Sequence, residues 1–308
     1  MRKPQVFTTV QDFRAALSEF VRHHSALKPT VGLVPTMGAL HSGHAALIDA
    51  ARADSDIVLA SIFVNPLQFD DDADYRHYPR DLDSDLELLG AHGVDLVFAP
   101  DVQEMYPGFP EAPQVSVTAG AMGRLWEGAS RPGHFDGVAT VVTKLFAIMK
   151  PPAPSRFHAW FGEKDAEQVA IIRRMTTDLN LPVTIRSLPI VRDDQGLALS
   201  SRNQRLSPED YEAALHLSRA LFTLRERAAA GEPLRVDEVT AQLNQAEGVD
   251  LDYLVVVDPQ TLQEIEPAQE PEGATAASGP LASEALVLIA ARVGPVRLID
   301  NMLLTPAH

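Results

Sequence analysis

The stretch TVGLVPTMGALHSGH, residues 30–44, constrains the fold more than any other part of this chain. Residues 30–34 are apolar and β-branched and are flanked by prolines, a pattern typical of a buried strand. Residues 35–38 predict a sharp turn, because glycine adopts backbone angles closed to other residues. The alanine-rich sequence from about Ser42 onward predicts a helix packed on a sheet. A second apolar strand at 56–64 completes a strand–helix–strand order, which indicates a right-handed βαβ unit in a parallel sheet.

The same stretch has the layout of a phosphate-binding site. A strand, a glycine turn and a helix start direct backbone N–H groups and the positive helix end at a phosphate. His41 and His44 lie at this helix start, three residues apart, so their rings share one side. Imidazoles there can donate to phosphate oxygens and stabilise charge that develops during phosphoryl or nucleotidyl transfer. A capping histidine and a surface histidine are the alternative; the glycine pattern matches neither GxGxxG nor the P-loop.

Size and composition exclude several classes of protein. At 308 residues the chain is long enough for two domains. The net charge of −16 argues against non-specific binding to nucleic acid or to anionic membranes, so a site for an anionic substrate must concentrate positive charge locally. The absence of cysteine excludes disulfides and a thiolate nucleophile. We expect a cytoplasmic protein, because no apolar signal region opens the sequence and the longest aliphatic run, 285–291, is far shorter than the ~20 residues of a membrane span.

Polar residues follow several predicted strands, at the edge where open α/β sheets bind ligands. Gln68 follows the second strand, and its amide can both donate to and accept from a small hydroxy acid. Lys164 comes just after a strand at 157–161 and at a helix start, where its charge would meet phosphates. Asp165 beside it can cap the helix or bind a ribose. For both Gln68 and Lys164, a solvated side chain is the alternative.

Two further segments contain candidate anion ligands. Ser200, Ser201 and Arg202 can hold a triphosphate through hydroxyl and charge-assisted bonds, although the residues alone favour a turn followed by a helix cap. Arg131 could supply local positive charge, with a surface arginine as the alternative. Residues 81–89 predict a helix with an acidic face, and such a face is usually solvated.

The remaining pattern predicts an α/β N-terminal domain with a Rossmann-like parallel sheet, residues 1–189, and a smaller α+β lid domain, residues 190–308. Residues 263–284, rich in Glu, Pro, Ala and Gly, predict a flexible insertion. The other predicted helices are 10–24, 135–149, 207–230, 236–247 and one carrying Val169, Ile172, Met175 and Leu179 on its buried side. The other predicted strands are 94–99, 114–118, 182–188, 251–258, 286–291 and 296–301, and residues 70–74 and 101–114 are predicted loops.

Five segments resemble, in order, the motifs of the pantoate–β-alanine ligase family, a relative of the nucleotidylyltransferases and class I aminoacyl-tRNA synthetases. They are PTMGALHSGH, FVNPLQF, RPGHFDGV, FGEKD and SSRN, and LIDN near the end of the chain also fits. The resemblance implies a two-step ligation. The pantoate carboxylate attacks the α-phosphate of ATP to give pantoyl adenylate and pyrophosphate. The β-alanine amine then attacks the acyl carbon to give pantothenate and AMP.

The resemblance also implies roles for individual residues. His41, His44 and Lys164 would be catalytic, with His44 as proton donor, and Mg²⁺ would accompany ATP with Asp85 as a candidate ligand. The pantoate and β-alanine ligands would be Gln68, Gln168, Asn65 and Arg131. The ATP-binding residues would be Met37, Gly38, Ala39, Leu40, His41, Ser42, Gly43, His44, Gly162, Glu163, Lys164, Asp165, Val191, Leu199, Ser200, Ser201 and Arg202.

Two positions depart from the family pattern: Ala166 stands where a tyrosine is expected and Leu199 where a methionine is expected. The family also implies a homodimer formed through the N-terminal domain. Two alternatives remain. A nucleotidylyltransferase that stops after transfer is disfavoured by the two glutamines, and a nucleotide sensor without catalysis would leave Lys164 and both histidines unexplained.

Overall fold

A computed structural model of the chain describes residues 3–69, 72–265 and 281–307. It divides into two compact units. The N-terminal unit comprises Met1–Glu163 and Ile171–Pro189, and the C-terminal unit comprises Lys164–Ala170 and Ile190–His308. The predicted insertion at 263–284 falls partly on residues 266–280, which lie outside the described residues.

The N-terminal unit is built on a six-stranded, all-parallel sheet. Its strands are β1 (Gln5–Phe7), β2 (Thr30–Thr36), β3 (Ile57–Ile62), β4 (Leu96–Phe98), β5 (Arg156–Gly162) and β6 (Thr184–Leu188). Its helices are α1 (Val10–Arg22), α2 (Ser42–Asp54), α3 (Asp72–His77), α4 (Leu82–Ala91), α5 (Val102–Met105), α6 (Trp126–Ser130) and α7 (His134–Met149), while α8 (Ala166–Asp178) contributes residues to both units.

The strand order β1-β4-β3-β2-β5-β6 confirms the predicted Rossmann-like sheet. The chain winds outward from β2 through β3 and β4, and then resumes on the other side of β2 with β5. The order therefore reverses between β2 and β5, and in open α/β sheets ligands bind at the carboxyl ends of the strands beside such a switch point. Val34, Val58 and Val97 pack with α2 and α4 on one face, and the alternate residues Leu33 and Leu59 are buried on the other.

The C-terminal unit contains a three-stranded antiparallel sheet with helices packed on it. Its elements are α9 (Pro208–Ala229), α10 (Val236–Gln245), β7 (Val249–Val257), β8 (Ala285–Val293) and β9 (Val296–Leu304). The central strand β8 is almost entirely apolar and buried, as expected for a strand paired on both edges. A capping box of Ser207 and Asp210 begins α9.

Several local predictions were wrong. The strand expected at 114–118 is absent, because Val117 bonds through both its N–H and its C=O to the Thr140 hydroxyl of α7 rather than to a neighbouring strand. The predicted loop at 101–114 contains the short helix α5, which the Asp101 carboxylate caps. Leu179 follows the end of α8 and is 47% exposed rather than buried.

Three other boundaries also differ from the predictions. The short edge strand β1 was not predicted, and α3 begins within the predicted loop at 70–74 and continues beyond it to His77. Strand β2 continues through Pro35, where a turn was expected. The ladder with β5 ends at Leu33, whereas the ladder with β3 continues to Thr36, so a residue without an N–H is tolerated there.

Candidate active site

The turn after β2 is held by a buried carboxylate. Gly38 and Ala39 both have positive φ, at 86° and 51°. Asp85 of α4 accepts hydrogen bonds from the backbone N–H of Ala39 (3.1 Å) and of Leu40 (2.8 Å). A Cβ on Gly38 would lie 2.8 Å from an Asp85 oxygen, so only glycine allows this approach. Burial raises the pKa of Asp85, and the two N–H bonds act in the opposite direction.

The two histidines at the start of α2 hold each other in place. The His41 Nδ1 accepts from the Gly43 N–H (3.1 Å), and the His44 Nδ1 accepts from the His41 N–H (3.3 Å). Their ring centroids lie 4.2 Å apart. Because each neutral ring accepts through Nδ1, its proton is on Nε2, which makes Nε2 the donor atom of both imidazoles. His41 therefore caps the helix, as the alternative interpretation predicted, and the capping leaves the proton of its ring on Nε2.

Asn65, at the carboxyl end of β3, positions Gln68. The Asn65 side chain is fully buried, and its Nδ2 donates to Gln68 Oε1 (3.0 Å) and to the Gly137 carbonyl (3.1 Å). Its Oδ1 accepts from the Tyr106 hydroxyl (2.9 Å) and the Leu67 N–H (3.3 Å). Both hydrogens and the oxygen of this amide are thus used inside the protein.

The backbone of Gln68 is held from the side of α7. Its carbonyl accepts from Arg131 Nη2 (3.1 Å) and from His134 Nδ1 (2.9 Å). The Gln68 Nε2 lies 3.0 Å from the Met37 sulfur. Since that nitrogen carries two hydrogens, the second is directed elsewhere and suits a carboxylate or hydroxyl. Arg131, predicted as a substrate ligand, is seen here holding the segment that carries Gln68.

The C-terminal unit contains a cavity that brings three predicted ATP ligands together. Its lining residues are Lys164, Leu197, Ala198, Ser200, Arg202, Asn203, Leu217, Arg297, Leu298, Ile299 and Asp300. Ser200 caps the 3-10 helix Ser201–Arg205, which agrees with the alternative interpretation of this loop as a turn with a cap. The Leu199 N–H, expected to contact ATP, donates to the Val191 carbonyl (2.9 Å) within a short antiparallel turn.

Three residues around Lys164 were missed by sequence reasoning. Asp300 of β9 is buried and forms a bidentate ion pair with Arg192, with distances of 2.6 and 2.9 Å. Next to it, Asn301 Nδ2 donates to the Lys164 carbonyl (2.9 Å). The signal was present in the segment LIDN, because an aspartate and an asparagine stand between apolar residues of the strand.

The other residues predicted around the site fall into both units. Glu163 accepts from the Ser187 hydroxyl (2.7 Å), and Asp165 lies 3.5 Å from the Lys164 ammonium. Ala166 is the first residue of α8, and Gln168 is half-buried on the same helix, in the part that belongs to the C-terminal unit. The histidines and Gln68 belong to the N-terminal unit, whereas Lys164 and the loop at 200–202 belong to the C-terminal unit.

The described residues contain neither a grouped metal-binding cluster nor a helix suited to a membrane. Within 3–69, 72–265 and 281–307, no three His, Asp or Glu side chains are grouped closely enough to hold a metal ion by themselves. In that same part of the chain, no helix combines the length and the apolar character needed to cross a bilayer.

Comparison with known proteins gives a consistent result. Residues 5–303 match the family described as pantoate-beta-alanine ligase. The pantothenate synthetase of Corynebacterium efficiens is 56% identical over 280 residues, covering 90% of this chain and 92% of that protein. That of Corynebacterium glutamicum (strain R) is 54% identical over 301 residues, covering 97% and 99%.

Two solved structures match this fold over nearly the whole chain. The crystal structure of pantothenate synthetase from Thermus thermophilus matches with a TM-score of 0.81 at 43% identity, covering 97% of this chain and 98% of that one. The pantoate-beta-alanine ligase of Francisella tularensis, crystallised with beta-gamma ATP and beta-alanine, matches with a TM-score of 0.70 at 32% identity, covering 97% of each chain.

Proposed function

The chain belongs to the pantoate–beta-alanine ligase family, and from that premise we propose how its residues carry out the family's reaction. The protein joins pantoate to β-alanine with ATP and forms pantothenate, AMP and pyrophosphate. First, a pantoate carboxylate oxygen attacks the α-phosphorus, and pyrophosphate leaves. The amine of β-alanine then attacks the acyl carbon of pantoyl adenylate, a carbon–nitrogen bond forms, and AMP leaves with its phosphate oxygen.

The observation that carries this proposal is the pair of backbone N–H bonds to Nδ1 of His41 and of His44 at the start of α2, which leave the proton of each ring on Nε2. Two neutral donors, fixed by backbone N–H groups, stand at a helix start, where the helix dipole favours a phosphate. They donate hydrogen bonds to the oxygens of the α-phosphate as charge builds up during attack, and His44, the proposed proton donor, keeps its Nε2–H in a hydrogen bond to the oxygen of the leaving pyrophosphate. Such preorganised donors need no rearrangement during the reaction.

Lys164 neutralises the α-phosphate, and the loop that contains Ser200, Ser201 and Arg202 binds the triphosphate. The support is that Lys164, Ser200 and Arg202 line one cavity in a protein whose net charge is −16. Positive charge is thus concentrated locally, as binding of an anionic substrate requires. The remaining predicted ATP contacts are Met37, Gly38, Ala39, Leu40, Ser42, Gly43, Gly162, Glu163, Asp165, Val191 and Leu199.

Gln68 and Gln168 hold pantoate. Gln68 is supported by its rigid placement, since Asn65, Arg131 and His134 fix its side-chain oxygen and its backbone. We assign Asn65 and Arg131 as positioning residues, because Asn65 donates to the Gln68 side-chain oxygen and Arg131 donates to the Gln68 carbonyl. A rigid amide limits the number of ways in which the hydroxy acid can bind, and so aligns its carboxylate for attack.

Three properties of the family complete the proposal: Mg²⁺ accompanies ATP, the protein forms a homodimer, and it acts in the cytoplasm. Asp85 is the candidate Mg²⁺ ligand, since each of its oxygens accepts one backbone N–H and keeps a further lone pair for a cation. Mg²⁺ commonly keeps several waters and binds through substrate phosphates with few protein ligands, so it enters with the nucleotide.

The reaction is tested by measuring AMP formation from ATP, D-pantoate and β-alanine, with each substrate omitted in turn. We expect AMP only with all three, and pyrophosphate release that needs pantoate but not β-alanine. AMP formation that is indifferent to pantoate would refute the ligase assignment. Pyrophosphate release with a different acceptor and no β-alanine requirement would indicate a nucleotidylyltransferase.

The residue assignments are tested by matched substitutions. Gln68→Ala should raise KM for pantoate by about 10- to 100-fold, because a hydrogen bond to a charged group is worth about 1.5–3 kcal/mol. Gln11→Ala, an exposed glutamine on α1, is the control and should leave KM unchanged. His44→Ala should lower kcat by about 10²–10⁴ while pantoate KM changes little. Equal effects of Gln11→Ala and Gln68→Ala would contradict the assignment.

A further inference from the structure

A buried carboxylate shares the cavity of the C-terminal unit with Lys164. Asp300 is 5% exposed, and it lines the same cavity as Lys164 and Arg202. Burial raises the pKa of Asp300, while its bonds to Arg192 and the positive charge of Lys164 act in the opposite direction. An anion beside a lysine that must bind phosphate is a competitor for that lysine, since both offer negative oxygens to one ammonium group.

Arg192 is the paired cation of Asp300, whose Oδ1 also accepts from the Asn301 N–H (2.7 Å). Its guanidinium makes two parallel bonds to the carboxylate, at 2.6 and 2.9 Å, in the fork geometry that arginine supplies and lysine does not. Two further bonds fix the guanidinium, to the carbonyls of Gly196 (3.0 Å) and Asn301 (3.2 Å). It also lies over the Phe222 ring, 5.2 Å from the centroid. The Asp300 charge is therefore paired within the protein.

The backbone of Lys164 is fixed from the adjacent position of the same strand. Asn301 donates to the Lys164 carbonyl, and both Asp300 and Asn301 are paired with the buried central strand β8, opposite Ile289 and Leu288. Strand β9 thus holds the main chain of Lys164 while Arg192 occupies the neighbouring carboxylate. The Lys164 ammonium forms an ion pair with Asp165 at 3.5 Å, whose side chain is 52% exposed, and such surface pairs are weak.

From this arrangement we infer that Arg192 is a positioning residue that keeps the Lys164 ammonium available to the triphosphate by neutralising Asp300. The inference rests on the proposed role of Lys164 in adenylate formation. Without Arg192, Asp300 becomes a buried carboxylate that lacks its partner, a costly state that pairing with Lys164 relieves. Lys164 would then be drawn to Asp300, and catalysis would fall even though Lys164 itself is unchanged.

The test compares substitutions of Arg192 and Asp300 in the full chain, with pantoate-dependent pyrophosphate release as the assay. Arg192→Met should lower kcat by about 10²–10³-fold, the loss typical of removing one donor to developing charge. Arg192→Met combined with Asp300→Asn should recover activity to within about fivefold of the unsubstituted protein, because the competitor is gone. Arg225→Met is the matched control: this exposed arginine lies over the same Phe222 ring, at 4.9 Å, and should retain full kcat.

A second set of variants separates this role from a structural one. In a Lys164→Ala background, adding Arg192→Met should cost less than about twofold in kcat, because two residues that act through one group are not additive. A structural role predicts the same factor in both backgrounds and no recovery on adding Asp300→Asn. If Arg192→Met does not fold, Arg192→Lys, which keeps the charge but loses the fork, should give an intermediate kcat that Asp300→Asn again restores.

Failure of the role inferred for Arg192 gives a different result from failure of the proposed ligase function. If the unsubstituted protein released no pantoate-dependent pyrophosphate, the function itself would be wrong. If it did, and Arg192→Met kept full kcat or Asp300→Asn failed to restore the lost activity at an unchanged Tm, the competition between Asp300 and phosphate for Lys164 would be excluded.

Discussion

Replacing Gly137 by alanine tests how closely α7 controls the pantoate-binding glutamine. A Cβ at Gly137 would lie 2.2 Å from the Leu67 carbonyl oxygen and 2.8 Å from the Gln68 nitrogen, both backbone atoms that cannot rotate away. Ordinary contacts of this kind begin near 3.4 Å, so the 3-10 helix Pro66–Gln68 must move by about an ångström. The hydrogen bond from Asn65 to the Gly137 carbonyl, at 3.1 Å, would be strained by the same movement.

The expected change in stability of Gly137→Ala is a balance of opposing terms. Alanine is favoured over glycine within a helix by about 1 kcal/mol. Overpacking costs about 1–3 kcal/mol, and a weakened buried hydrogen bond costs about 1 kcal/mol more. The net loss is about 1–3 kcal/mol, which lowers Tm by roughly 2–4 °C per kcal/mol. Helix propensity alone predicts that Gly137→Ala is more stable than the unsubstituted protein. The sign of the change in Tm therefore shows whether propensity or overpacking dominates at this position.

The kinetic consequence of Gly137→Ala should be selective. Displacement of Gln68 by about an ångström should lower kcat/KM for pantoate by about 10²-fold, while KM for ATP changes less than about threefold. The assay is AMP formation with each substrate varied, alongside thermal unfolding. Ala147→Gly, an exposed position on the same helix, is the control; it should cost about 0.5–1 kcal/mol and leave pantoate kinetics unchanged. A Gly137→Ala variant with a raised Tm and normal pantoate KM would refute the argument.

Three other substitutions have defined outcomes. Asp85→Ala should raise KM for ATP by about tenfold, because the N–H of Leu40 loses its acceptor and the turn after β2 relaxes. An unchanged KM would show that the Asp85 bonds to this turn are not needed for ATP binding. The Tyr211 hydroxyl donates to Asp193 (2.7 Å), which raises the pKa of Tyr211 to about 12. The stability from this bond is complete below pH 10 and lost as the pH rises through about 12, so the Tm difference from Tyr211→Phe should shrink over that range. Phe13→Ala should lower the unfolding free energy by about 3–5 kcal/mol in urea titrations, since this fully buried ring packs on two others; a loss below about 1 kcal/mol would contradict the packing.

The main framework followed from local patterns in the sequence. Apolar runs separated by amphipathic helices predicted the parallel sheet, and the polar residues that come after its strands predicted where ligands bind. The sheet prediction succeeded because strand and helix periodicities are written in consecutive residues. Short elements were less predictable: β1 has only three residues, and the expected strand at 114–118 lost its ladder to the Thr140 hydroxyl, a partner 23 positions away in the case of Val117.

The supports of the candidate site could not be predicted from the sequence in the same way. The sequence by itself determined that histidines follow β2, that a glutamine follows β3 and that a lysine follows β5. Only the tertiary structure decided that Asp85 clamps the turn 46 positions before it, that Arg192 neutralises Asp300 108 positions later, and that Asn301 holds Lys164 across 137 positions. The physical reason is that a hydrogen bond depends on distance and direction in space, and for residues so far apart these are set by strand order and register, which no local pattern encodes.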